Sequence, residues 1–308
     1  MQIQDSHRIC IAPMLRYTHR HFRYFMRLIS KHVFLYTEMI AANALLRGDA
    51  ERFLAFDPIE HPIALQLGGN DPASLAACAR LIEAHGYDEI NLNVGCPSER
   101  VQAGAFGACL MAEPALVADC VASMRQAVSI PITIKTRLGV QTNGKHAACA
   151  ELIELAQQAG CKTFIIHARY AQLDKKSPKD NRKTALYYDE VYALKKHYSD
   201  LEIILNGNVE KMDAIATHLT KVDGVMIGRK ACYDPYGLVD VDRLFFQDDH
   251  PILSREEIIE QYLSYAQKHL SPQVSQTMLL QPLQHLFYGL PNARTLRQTM
   301  EQEFSAKR

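Results

Sequence analysis

A cysteine that closes an alternating strand pattern is the first place where this sequence could do chemistry. Over Glu89–Ser98, Ile90, Leu92 and Val94 alternate with Asn91 and Asn93, and Gly95, Cys96 and Pro97 follow. Two amides facing inward at the end of a buried strand are costly unless something there takes their hydrogen bonds. Gly95 lets the backbone turn tightly, Cys96 sits at the mouth, and Pro97 stiffens the exit. About eighteen residues separate this turn from the next helix start near Pro114, a length that compact domains keep for a working lid. Taken alone, Cys96 would sooner be a buried filler, because free cysteines are among the most buried residues.

Other strand ends change that balance. The same alternation aims Gln66 inward between Leu65 and Leu67, Lys135 and Arg137 two residues apart, and His167 and Arg169 likewise. Two later strands end in Asn206-Gly207-Asn208 and in Gly228-Arg229. Strong hydrogen-bonding groups at corresponding places on consecutive strands call for a shared polar ligand. Glycines in the last two loops permit close approach to a phosphate, with Arg229 adding charge. One phosphate site, plus amide, lysine and histidine contacts for a flat polar ring, fits FMN. Lys135 would then stand where a reduced flavin gathers negative charge. A phosphosugar enzyme would use the same phosphate site.

The elements that must hold these residues read as a regular series. Strands are expected at Arg8–Met14, Val33–Glu38, Pro62–Leu67, Glu89–Val94, Pro131–Lys135, Thr163–His167, Glu202–Asn206 and Asp223–Ile227. Helices are expected between them, including Pro72–His85, Pro114–Ala127, His146–Ala159 and Tyr188–Tyr198. Eight strands alternating with helices spell an α/β fold, the (β/α)8 TIM barrel. A doubly wound sheet is the alternative, but no G-x-G-x-x-G follows any strand. Beyond about Phe245 the strand pattern stops. Ser254-Arg255-Glu256-Glu257 is a capping box, residues 273–288 read as a helix kinked at Pro282, and Asn292 could cap a third helix carrying Arg294 and Arg297. We therefore expect a catalytic barrel over 1–244 and a small all-helical domain over 245–308.

The chain has 308 residues, 48% hydrophobic and 22% charged, ordinary for a globular protein with a sizeable core. No apolar run is long enough for a bilayer, the start is polar, and the eight cysteines form no C-x-x-C pair. The expectations are a cytoplasmic protein without a metal site or membrane partner. Net charge is zero, which argues against a wholesale nucleic-acid coat. Charge is nevertheless clustered: Ser6–Thr37 has no acidic residue but carries Arg8, Arg16, Arg20, Arg23, Arg27 and Lys31. Arg169–Lys183 sets six basic residues against two acidic ones.

The successive motifs Ala12-Pro13-Met14, Tyr36-Thr37-Glu38-Met39, Gln66-Leu67-Gly68-Gly69, Asn91–Pro97, Lys135-Thr136-Arg137 and His167-Ala168-Arg169 resemble those of tRNA-dihydrouridine synthases. Ser177–Arg182 and the Arg294/Arg297 pair further resemble the A subfamily, which modifies positions 20 and 20a of the tRNA D-loop. Asn208 stands where the family usually has a second glycine, a mild departure because asparagine tolerates positive φ. The resemblance implies FMN held by Pro13, Met14, Gln66, Lys135, His167, Asn206, Gly207, Asn208, Gly228 and Arg229. It implies Cys96 as the catalytic acid, and tRNA contacts from Asn93, Lys179, Arg182, Arg294 and Arg297. Arg137 and Arg169 are expected to join that tRNA-binding set.

The chemistry this implies is coherent. Hydride added at C6 of uracil leaves an enolate that needs a proton at C5, which Cys96 is placed to give. An ordinary thiol titrates near ~8.5 and holds its proton at neutral pH without a histidine beside it. The target base must leave its stack to reach a barrel mouth, and NADPH, lacking a Rossmann site here, would visit and leave before tRNA binds. A reductase of free pyrimidines would share the barrel but not the basic tail. An RNA-binding module would not need the full set of polar strand ends.

Overall fold

The computed structural model describes residues 7–142, 145–174, 181, 183–270 and 274–306. Eight parallel strands form a closed barrel: β1 Ile9–Ile11, β2 Phe34–Tyr36, β3 Ile63–Gly68, β4 Glu89–Asn93, β5 Ile132–Thr142, β6 Thr163–Gln172, β7 Glu202–Asn206 and β8 Gly224–Ile227. Closure comes from β2 lying parallel to β3, with Leu35 opposite Ile63, and from β1 pairing β8, with Cys10 opposite Met226. The strands are short aliphatic runs because both faces are buried. Cys10, Phe34, Tyr36, Ala64, Ile165, Ile204 and Met226 fill the interior. The opposite faces pack against the surrounding helices, for which Phe22, Phe25, Met26 and Ile29 of the helix Arg20–Ile29 are typical. Such a barrel is a packed core with its working end at the strand C-termini.

Three local expectations need correction. β5 runs on to Thr142 and pairs antiparallel with a short strand, Lys145–Ala148, so the following helix begins at Cys149 and not at His146. The cause lies in the continued alternation of buried Leu138 and Val140, which extends the strand before the chain turns. The stretch after Cys96 is no open lid. It folds into a helical turn, Glu99–Ala103, and a 3-10 segment, Gly107–Ala112, which bury Val101, Ala108, Leu110 and Met111. Finally, the first basic cluster is not a surface patch throughout. Arg23 is buried and donates to Glu60 Oε2 at 2.6 Å, and Arg27 donates to the carbonyls of Ile59, Ser30, Val33 and Glu60. A buried guanidinium is tolerable only when its N–H groups are used in this way. Arg8, Arg16 and Lys31 remain exposed.

After β8 the described chain is helical. The Ser254/Glu257 capping box is present and opens the helix Arg255–Lys268. The helix Gln276–Gln284 contains Pro282 and ends short of the expected residue 288; the missing N–H of Pro282 weakens its last turn. Ala293–Ala306 is the last helix. The helix Arg255–Lys268 seats on Arg20–Ile29 through aromatic contacts, with Tyr24 stacked on Tyr265 at 3.7 Å and Phe25 edge-on to Tyr262 at 5.7 Å. Among the described residues no helix is long and apolar enough to cross a membrane.

Candidate active site

Strand register brings the polar ends together. Gln66 lies opposite Asn91, Asn93 opposite Lys135, and Arg137 opposite His167, which in turn faces Asn206. A single cavity of about 1160 Å³ opens over these ends. Pro13 and Met14 enter it from the loop after β1, Gln66 from β3, and Asn93 and Cys96 from β4 and its loop. Lys135, Arg137, His167 and Arg169 line it from β5 and β6, and Asn206–Asn208, Gly228 and Arg229 from the last two loops. Asn91 does not line it. The inward-pointing amide is fully buried one layer below the floor. Arg294 is exposed and Arg297 half-buried on the last helix, both away from the cavity. Lys179 and Arg182 lie outside the described residues.

The β5–β8 wall is cationic. Burial, reinforced by Arg137, lowers the Lys135 pKa from 10.5 to about 7, and its Nζ donates to Asn206 Oδ1 at 3.0 Å. Burial likewise brings Arg137 down to about 10. Its Nε donates to Gly95 O at 2.8 Å, while Nη1 is buried without a hydrogen-bond partner among the described residues. His167 is pushed well below the usual imidazole range, first by burial and then by Arg137, Lys135, Arg169 and Arg229, so its ring is neutral at pH 7. Neither Lys135 nor Arg137 has a carboxylate partner among the described residues. Two buried cations without a carboxylate partner among the described residues, one with an orphaned guanidinium N–H, fit an anionic ligand carrying many acceptors, as a flavin mononucleotide is. Gly207 sits at φ +136°, and a Cβ there would come within 3.1 Å of the His167 ring and 3.0 Å of Leu186. Asn208 adopts the expected positive φ, at 52°, and accepts from Arg229.

The Cys96 turn is held from two sides. Asn93 Oδ1 accepts from Gly95 N at 3.2 Å and Cys96 N at 3.0 Å, while Cys96 O accepts from Ala108 N at 2.9 Å. Gly107, at φ +78°, makes that return possible, for a Cβ there would lie 2.6 Å from Cys96 O. Cys96 Sγ is half-buried and donates to Ser98 Oγ at 3.5 Å, so its partner is a hydroxyl and not an imidazole. That suits a proton donor better than an activated nucleophile.

Sequence reasoning missed the outer wall. His19, Arg20 and His21 line the cavity from the start of the helix Arg20–Ile29, and Lys268, His269 and Met278 face them from the C-terminal helices. His21 Nδ1 bonds the Tyr265 hydroxyl at 2.9 Å, and His19 Nε2 bonds Gln281 Oε1 at 2.9 Å. The paired histidines at 19 and 21 were a visible signal, but nothing in their spacing showed what they would face. Phe106, which also lines the cavity, was hidden in the presumed lid.

The model of the dihydrouridine synthase (Dus) family matches residues 10–308. The chain is 48% identical over 298 residues to the tRNA-dihydrouridine(20/20a) synthase of Pseudomonas putida, covering 96% of this chain and 89% of that one. It is 47% identical over 293 residues to the protein of the same name from Synechocystis, covering 95% and 87%. Among solved structures, a 2-naphthoyl-CoA reductase is similar at TM-score 0.56 and 10% identity, over 77% of this chain and 50% of that one. A histamine dehydrogenase from Rhizobium sp. 4-9 is similar at TM-score 0.57 and 13% identity, over 78% and 46%. The chain spans about half the length of each, and at that identity the likeness is one of fold.

Proposed function

The chain belongs to the dihydrouridine synthase family, and on that premise we propose that it reduces the C5=C6 bond of uridines 20 and 20a in the tRNA D-loop, with bound FMN and with NADPH as reductant. A thiol and a cationic wall opening on one cavity carry this reading. Lys135 and Arg229 would hold the anionic cofactor, joined by Arg137, which moves here from the expected tRNA set because its buried Nη1 lacks a partner among the described residues; neutral His167 and Gln66 would bond the ring, and the Asn206–Asn208 and Gly228 turns would let it approach the backbone. The flavin supplies the hydride that no side chain can. Cys96 supplies the proton at C5 of the uracil ring, and the loop that Asn93 and Gly107 hold keeps its thiol at the cavity. Arg169, Lys179, Arg182, Arg294 and Arg297 would grip tRNA phosphates outside the chemistry, and Asn93 has one amide N–H left for the base. The barrel over 1–244 would then be the catalytic domain and residues 245–308 an RNA-gripping one, in the cytoplasm where tRNA is matured.

The test is single-turnover flavin reoxidation by unmodified tRNA under anaerobic conditions. Cys96→Ala should bind flavin and tRNA and accept electrons from NADPH, yet reoxidise about 10²–10⁴-fold more slowly, the usual size of general acid catalysis. A wild-type rate would remove Cys96 from its role.

A further inference from the structure

Beneath the cavity floor the barrel interior holds a line of polar side chains that the reaction so far leaves without a task. Asn93 Nδ2 donates to Gln66 Oε1 at 2.9 Å, Gln66 Nε2 to Asn91 Oδ1 at 2.7 Å, and Asn91 Nδ2 to Thr133 Oγ1 at 2.9 Å. Thr133 donates its hydroxyl to Glu89 Oε1 at 2.6 Å, an oxygen that also takes the Tyr36 hydroxyl at 3.0 Å. Glu89 Oε2 lies 2.9 Å from His7 Nε2, and His7 Nδ1 lies 3.0 Å from Glu202 Oε2. Only Nδ1 has hydrogen-bond geometry, to Glu202, while the Nε2–Glu89 approach is an ion-pair contact, and a carboxylate at each ring nitrogen favours the imidazolium. Burial opposes that charge, but Glu89 and Glu202 outweigh it and raise the His7 pKa to about 10.

The line has one permitted direction. A carboxylate only accepts, so Thr133 must give its single proton to Glu89 and can only accept from Asn91. Asn91 therefore turns its NH2 to Thr133 and its oxygen to Gln66. Gln66 turns its NH2 to Asn91 and its oxygen to Asn93. Asn93 turns its NH2 to Gln66, which leaves its oxygen for the N–H groups of Gly95 and Cys96. A reversed amide would set two donors or two acceptors face to face where water cannot intervene, since Asn91, Gln66 and Thr133 are all at most 1% exposed.

We propose that Glu89, whose Oε1 accepts from Thr133 and whose Oε2 faces His7, sets the hydrogen-bond direction of this line and through it positions the Cys96 turn for proton transfer. Glu89, Thr133 and Asn91 are positioning residues; none of them lines the cavity. The catalytic half of this inference rests on the function proposed above for Cys96; the structural half does not.

Thr133→Val removes the relaying hydroxyl at constant shape, and Thr133→Ser keeps it. Two readouts are needed: amide hydrogen exchange at Gly95 and Cys96 in the purified protein, and the two half-reactions of the flavin measured separately. Thr133→Val should lose about tenfold in exchange protection at Gly95 and Cys96, the size of one lost hydrogen bond in a held loop, and slow the tRNA step by a similar factor. The NADPH step should stay within about twofold of wild type, and Thr133→Ser should restore both losses. If Thr133→Val does not fold, Asn91→Asp, which replaces a donor by an acceptor, must show the same exchange signature. Unchanged protection overturns the proposal, as does an equal change in Thr133→Val and Thr133→Ser. Lost protection with a normal tRNA step overturns the positioning role. A wild-type protein that makes no dihydrouridine would instead count against the proposed function, while the exchange data would still judge the relay.

Discussion

Gly107→Ala should damage the tRNA half-reaction from a distance, because the substitution strikes the backbone that carries Cys96. The added Cβ would stand 2.6 Å from Cys96 O and 2.5 Å from Val101 Cγ1. Real Cβ contacts stay beyond about 3.0 Å, so the Cys96 carbonyl must retreat by about 0.4 Å, and the 2.9 Å bond from Ala108 N must stretch or turn with it. Alanine at φ +78° adds left-handed strain of about 1–2 kcal/mol. If a 1 Å misplacement of a reacting group costs up to ~10²-fold, a shift of this size should slow proton delivery by about tenfold. The assay is anaerobic flavin reoxidation by unmodified tRNA, with flavin reduction by NADPH as the control and a thermal melt alongside. We expect the tRNA step to fall about tenfold, the NADPH step to hold, and the melting temperature to drop by a few degrees. A wild-type tRNA step would refute the reasoning, because the Cys96 turn would then tolerate displacement. Equal losses in both steps would place the damage in the flavin cavity instead.

Flavin binding should take up protons, since burial and Arg137 hold Lys135 near pKa 7 in the free protein and an anionic ligand reverses the second influence. The uptake should be about half a proton at pH 7 and most of one at pH 8, so affinity falls as pH rises above 7; calorimetry in buffers of different ionisation heat reads it, and buffer-independent heats would count against it. His7 should stabilise the fold fully below its unfolded pKa of 6.5, and that contribution should vanish as pH rises through about 10. Urea midpoints between pH 8 and 11 should fall more steeply for wild type than for His7→Gln, and parallel curves would exclude the ion pairs with Glu89 and Glu202 as the cause. Arg294→Ala with Arg297→Ala should lower the log–log salt slope of tRNA binding by roughly one unit per lost phosphate contact while sparing NADPH oxidation. Equal slopes would leave these arginines on a solvated helix face.

Eight short aliphatic runs alternating with helical patterns were enough to show the barrel, because a strand buried on both faces, by the interior and by the helices, carries that burial in its own residues. The period-2 alternation of the strands picked out Gln66, Asn93, Lys135, Arg137, His167 and Arg169, since a residue's place at a strand end is a local property and barrel closure brings those ends together. Asn208 was legible for a similar reason: its positive φ of 52° is a matter of one residue's backbone. What tertiary structure alone decided are contacts between distant segments. Arg23 and Arg27 read as surface charge until Glu60 and the nearby carbonyls met them in the core. His19 and His21 became cavity wall only when the C-terminal helices closed over them. Gly107 mattered only because its segment returns against Cys96. The direction of the buried line is set by an ion pair that joins His7 to a carboxylate 195 residues away and to Glu89. Hydrogen-bond direction belongs to the whole connected chain of partners, and no single residue's type or spacing contains it.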